Sequence, residues 1–100
     1  MGIEFKKHEK KDFTLIEFEL DGAVTPEIFS EVSKKLKELN IRYSGGIVIS
    51  GRGPIWLYGY ILHFFHPAKW LGVFDPRLGG VIVQSHTPEV KEGEIIKIDH

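Results

Sequence analysis

The chain of 100 residues has no cysteine and a single methionine. Without thiols there is neither a disulfide framework nor a thiolate zinc site, and a reducing cytoplasm suits it. Few sulfur-bearing residues beside many Lys and Glu form a composition that leans toward thermophiles. An excess of one charge is missing too: 13 Lys and Arg stand against 14 Asp and Glu, a formal net charge of −1 at pH 7. A generally basic nucleic-acid coat is thereby excluded, and any polyanion must be held by a local cluster. The longest apolar stretch, Ile55 to Phe65, is too short and too rich in His and Tyr to cross a bilayer. The first residues, Met1 to Lys11, are charged and lack the apolar centre of a leader. These absences describe a soluble, cytoplasmic protein with no membrane part and one domain over residues 1–100, whose core is small enough that an oligomer would bury more.

Hydrophobic patterning divides the chain into strands and two helices. Ile3 to Lys7 reads as a short strand. Phe13 to Leu20 alternates, with Leu15 off the pattern, and reads as a strand buried on one face. Thr25 as cap and Pro26 at the first helical position open a helix with its apolar stripe on Ile28, Phe29, Val32, Leu36 and Leu39. Glu31, Lys34, Lys35, Lys37 and Glu38 take its solvated face, and Asn40 stops it. Ile47-Val48-Ile49 is apolar throughout, as a central strand covered on both sides should be. Pro54 opens a second helix, to His66, that is apolar nearly all round; one sheet layer cannot cover it, so a second packing partner is expected. Trp70 to Phe74 and Val81 to Gln84 form a hairpin, and Ile95 to Ile98 is the last strand. The whole predicts a compact α/β domain.

Chemistry-bearing residues concentrate in two stretches, each beginning where a hydrophobic strand stops, and are expected to meet at one sheet edge. Ser50-Gly51-Arg52-Gly53 lies between a buried strand and a helix N-terminus, where backbone N–H groups and the helix dipole favour an anion. Its glycines allow close backbone approach, and Arg52 adds a donor fork suited to phosphate; a tight turn with a solvated Arg is the plainer reading. His63 and His66 lie three apart on one helix face, a spacing suited to a shared metal or to an acid and a base. His63, between Leu62 and Phe64, equally reads as a packed histidine, whereas His66 at the helix end is the better proton carrier. Asp75 ends an apolar strand, where ligands of α/β sheets gather; it suits orienting a histidine, binding a cation or opening an Asp-Pro turn. Arg77 is a second phosphate clamp, and His86 completes a His/Asp set suited to Mn²⁺ or Zn²⁺. Trp56, Tyr58 and Tyr60 fit packing in the core or at a subunit interface better than base stacking.

The blocks Ser50 to Leu57, His63 with His66, Asp75-Pro76-Arg77-Leu78-Gly79 and Val83-Gln84-Ser85-His86 resemble the third family of CRISPR-associated ring nucleases, small stand-alone proteins of type III loci. Phe13 to Ile16 and Pro26 to Ile28 fit its N-terminal half, so that the resemblance covers Phe13 to Glu94. It implies a compact ferredoxin-like α/β sandwich, Rossmann-like and related to the CARF sensor domains, with two helices on a mixed sheet. It implies homodimers that assemble as a dimer of dimers around cyclic tetra-adenylate, with Mn²⁺-dependent cleavage of that antiviral second messenger by residues of both. Carried over by position, His66 and Asp75 would be catalytic. Ser50, Gly51, Arg52, Gly53 and Arg77 would bind the ring, and Asp75, His86 and His63 would be metal ligands. Position 67 is Pro, where the family can carry a second consecutive histidine, which removes one base from the set. The resemblance leaves two other activities open: a Mn²⁺-dependent exoribonuclease acting on the 3′ ends of linear RNA, and a module that binds the cyclic ligand without cutting it.

Overall fold

In the computed structural model, residues 2–99 are described; Met1, the start of the charged stretch read above as no leader, and His100 lie outside them. Six strands, β1 (Ile3–Glu9), β2 (Phe13–Leu20), β3 (Gly46–Gly51), β4 (Trp70–Asp75), β5 (Gly79–Ser85) and β6 (Ile95–Ile96), lie side by side in chain order in one sheet. The helix α1 (Phe29–Glu38) joins β2 to β3, and α2 (Ile55–Phe64) joins β3 to β4. Those two joints are parallel and the other three antiparallel, because a short turn or loop reverses the chain whereas a helix returns it to the same end. The sheet is therefore mixed, carries two helices, and has the expected ferredoxin-like sandwich class.

The β-branched run of β3 explains how the layers form. Ile47 and Ile49 point into a core shared by both helices, with Ile16, Phe18, Val32, Leu36, Leu57, Ile61, Phe65 and Leu71. Val48 points the other way, into a second cluster with Leu15, Trp70 and Ile82, covered by Val90, Ile96 and Ile98 of the C-terminal segment. Leu15, off the expected alternation, is thus not a flaw in β2: that strand is buried on both faces rather than one. Leu57, Ile61 and Phe65 are fully buried, each contributing roughly 1.5–3 kcal/mol of transfer free energy.

Several boundaries differ from the sequence expectation. Pro26–Ile28 forms a 3-10 turn before α1, and no Thr25 side chain caps it. Asn40 does end α1, in the left-handed conformation (φ 55°) that asparagine tolerates. Pro54 is the cap residue of α2 and not its first helical one, and the α-helix stops at Phe64, short of His66. The last strand keeps only two residues of the expected four. Lys35, expected to be solvated, instead reaches back from α1 to the Ile3 carbonyl at 2.6 Å and to Glu31 and Glu4, both at 3.1 Å.

The expected second partner of α2 is supplied within the chain. Tyr60 stacks on Phe29 of α1 with ring centroids 3.9 Å apart, and Trp56 meets the same ring edge-on at 5.6 Å. Tyr58 packs edge-on against Phe18. The three aromatics are half-buried and pack against the core. What α2 leaves exposed is a strip of Ile55, Gly59, His63 and His66. Among the described residues, no helix is long and apolar enough to cross a membrane.

Candidate functional site

At the C-terminal end of β3 and β4 the backbone turns out of the sheet twice. Ile49 lies opposite Val73, so two residues further on Gly51 and Asp75 reach the same level. Gly51-Arg52-Gly53 leads into α2, whose N-terminus has no side-chain cap and so leaves its first N–H groups for another acceptor. Arg52 and Arg77 are both exposed at this end. Ser50 is only 6% exposed, so its hydroxyl serves the protein interior more than a ligand. The glycines have a packing role: a Cβ on Gly51 would lie 2.6 Å from the Phe18 ring, and one on Gly53 2.9 Å from it. They let the loop lie close against the Phe18 ring. Tyr58 then donates its hydroxyl hydrogen to the Gly51 carbonyl and fixes the base of the loop; burial raises its pKa.

Asp75 uses one carboxylate oxygen locally. Its Oδ1 accepts from the backbone N–H of Arg77 at 2.8 Å and of Leu78 at 3.1 Å, which closes the β4–β5 turn. The second oxygen is left to act on something else.

The histidines form a separate group. His66 Nδ1 lies 3.0 Å from the His63 carbonyl; a carbonyl only accepts, so Nδ1 is the donor, and in the neutral ring Nε2 presents the lone pair. The His63 and His66 rings lie nearly parallel with centroids 5.8 Å apart, and both side chains are exposed, so His63 is not the packed histidine its neighbours suggested. The His66 carbonyl accepts from the Gln84 amide at 2.8 Å and lies 3.1 Å from His86 Nε2. Gln84 thus anchors the end of α2 on β5, a role the sequence reading missed. The hairpin register held the clue, since it pairs Ser85 with Trp70 and brings the end of β5 to the start of β4.

The two groups do not meet within one chain. α2 starts at the end of β3 and finishes at the start of β4, so His63 and His66 stand at the opposite end of the sheet from Arg52, Asp75 and Arg77. His86 joins the histidines because β5 runs antiparallel to β4. Five residue steps along β4 separate the two ends by about 17 Å. The single sheet edge expected to gather all six side chains is corrected to two. Among the described residues, no three of His, Asp or Glu are placed to hold a metal ion, so the expected Asp75, His86 and His63 set does not fit Mn²⁺ inside one protomer.

Residues 17–97 match the family model of the CRISPR-associated protein (Cas_csx3). The chain belongs to the Cas_csx3 family. A relative from Aquifex aeolicus (strain VF5), named an uncharacterized protein, is 53% identical over 87 residues, 86% of this chain and 78% of that protein. Both sheet ends fall inside the span shared with Cas_csx3, which runs from Glu17 in β2 to Lys97 beyond β6.

Proposed function

We propose that this Cas_csx3 chain is a Mn²⁺-dependent ring nuclease that opens cyclic tetra-adenylate, with each site assembled between two dimers. The observation that carries this reading is the separation of an arginine end from a histidine end on one sheet. A phosphodiester held at the arginine end of one protomer needs a second copy to meet a histidine. Self-association at that end is supported by apolar exposure: Ile55 is 88% and Leu78 57% exposed, and both flank the arginines.

The division of labour follows from the groups available. Arg52, Arg77 and the uncapped start of α2 neutralise ring phosphates, and symmetry doubles each of them, which lets a chain of net charge −1 hold a compact polyanion. His66, fixed in one tautomer by the His63 carbonyl, offers Nε2 for proton transfer to or from the reacting ribose and leaving oxygen. Asp75 orients through its remaining oxygen. No three ligands among the described residues of one protomer fit Mn²⁺, so Asp75 of one copy with His63 and His86 of another would have to hold it, and it would then supply charge neutralisation at the phosphate.

The test is incubation of purified protein with labelled cyclic tetra-adenylate, in EDTA and in Mn²⁺, resolved by chromatography. Linear products formed only with Mn²⁺ are expected. Degradation of linear poly(A) with the ring intact overturns the reading in favour of an exoribonuclease. Undiminished ligand loss with His66→Ala would leave only a binding module.

A further inference from the structure

A cleft of about 610 Å³ opens under the C-terminal segment, on the sheet face away from the helices. Its floor is Phe13, Trp70, Val90 and Ile96, with the two aromatic rings 5.9 Å apart. Its rim carries four cations, Lys11, Arg42, Lys69 and Lys97, against two carboxylates, Asp12 and Glu89. Lys69 is paired with Glu89 at 3.2 Å, and Arg42 donates to the Lys10 carbonyl at 3.2 Å, so both are held in position at the rim. A chain of net charge −1 therefore concentrates a charge of +2 around one half-apolar cavity. None of these side chains is one of the arginines or histidines of the two ends, although Lys69 and Trp70 stand at the start of β4, where the Lys69 carbonyl accepts from the His86 N–H at 2.9 Å.

We infer that this cleft is a second binding site, for a small aromatic phosphate ester of the mononucleotide kind. The volume suits a ligand of that size, the apolar floor takes a flat ring, and the net +2 favours a multiply charged phosphate group over a single carboxylate. Lys11 and Lys97 are exposed and, having no ion pair among the described residues, are the cations free to turn onto the phosphate. The inference does not depend on ring cleavage.

Trp70 lies in the cleft and the only other tryptophan, Trp56, lies on α2, so Trp56→Phe makes fluorescence report on the cleft alone. That protein is titrated with ADP, pyrophosphate and adenosine, and calorimetry on the unmodified chain checks for one site per chain. A saturable response to ADP is expected, weakened about tenfold or more for the other two probes. Lys11→Glu with Lys97→Glu should weaken ADP about tenfold or more at an unchanged melting temperature, and raising the salt on the parent protein should weaken it in the same direction. Arg52→Glu should leave the Trp70 response unaltered. An equal response to pyrophosphate and ADP, a response to adenosine alone, no saturation, or loss with Arg52→Glu overturns the inference.

Discussion

If the site is shared between protomers, two inactive variants should rescue one another. His66→Ala removes the proton carrier and Asp75→Ala the orienting carboxylate, from sheet ends about 17 Å apart along β4. Losing one acid–base partner typically lowers the rate by about 10²–10⁴-fold, so each variant alone should be nearly silent. Mixed in equal amounts, half of the histidine ends and half of the aspartate ends are intact. Where the two must come from different copies, random pairing makes about one quarter of the sites complete. The mixture should therefore regain about one quarter of the parent rate on cyclic tetra-adenylate, far above either variant. The assay is the initial rate of ring opening at fixed total protein, after equilibration, with ligand binding measured for each variant. A mixture as silent as its components, both still binding the ring, refutes the shared site.

Gly46→Ala should destabilise the fold by about 1–3 kcal/mol or more, since its Cβ would lie 2.0 Å from the Trp70 ring; chemical denaturation with a red-shifted Trp emission checks it. Tyr58→Phe removes the hydroxyl that fixes the Gly51 carbonyl, and should cost about 1 kcal/mol of stability while weakening ring binding more than it slows turnover. The Glu31 carboxyl is held below its ordinary 4.5 by the Lys35 hydrogen bond. Its folded value being the lower one, the stabilisation is present above pH 4.5 and drains away as pH falls through the folded value. Glu31→Gln should accordingly lower the melting temperature slightly at pH 7 and flatten its decline below pH 4.5. Added salt should shrink the difference, because the pair is open to solvent.

Much of the architecture is legible residue by residue. The alternation of apolar runs, the stop at Asn40 and the Asp-Pro turn at Asp75 follow from local rules, because each depends on dihedral preferences and spacing within a few residues. The two stretches rich in functional side chains are equally visible, and the matched family spans both. Their placement at one edge failed on topology: a helix linking two parallel strands ends where the next strand begins, and a hairpin returns to that same end. His66 and His86 therefore had to gather at the start of β4, opposite Asp75.

By itself, the sequence determined which segments become strands or helices and where chemical groups leave them, since those choices rest on short-range patterning. Only the tertiary structure decided what faces what: Leu15 on the second core, Phe29 covering the aromatics of α2, Phe18 beneath Gly51 and Gly53, and the carbonyl of His66 held by Gln84. Those contacts join residues far apart in the chain, and their geometry is set by the register of a whole sheet rather than by any one segment.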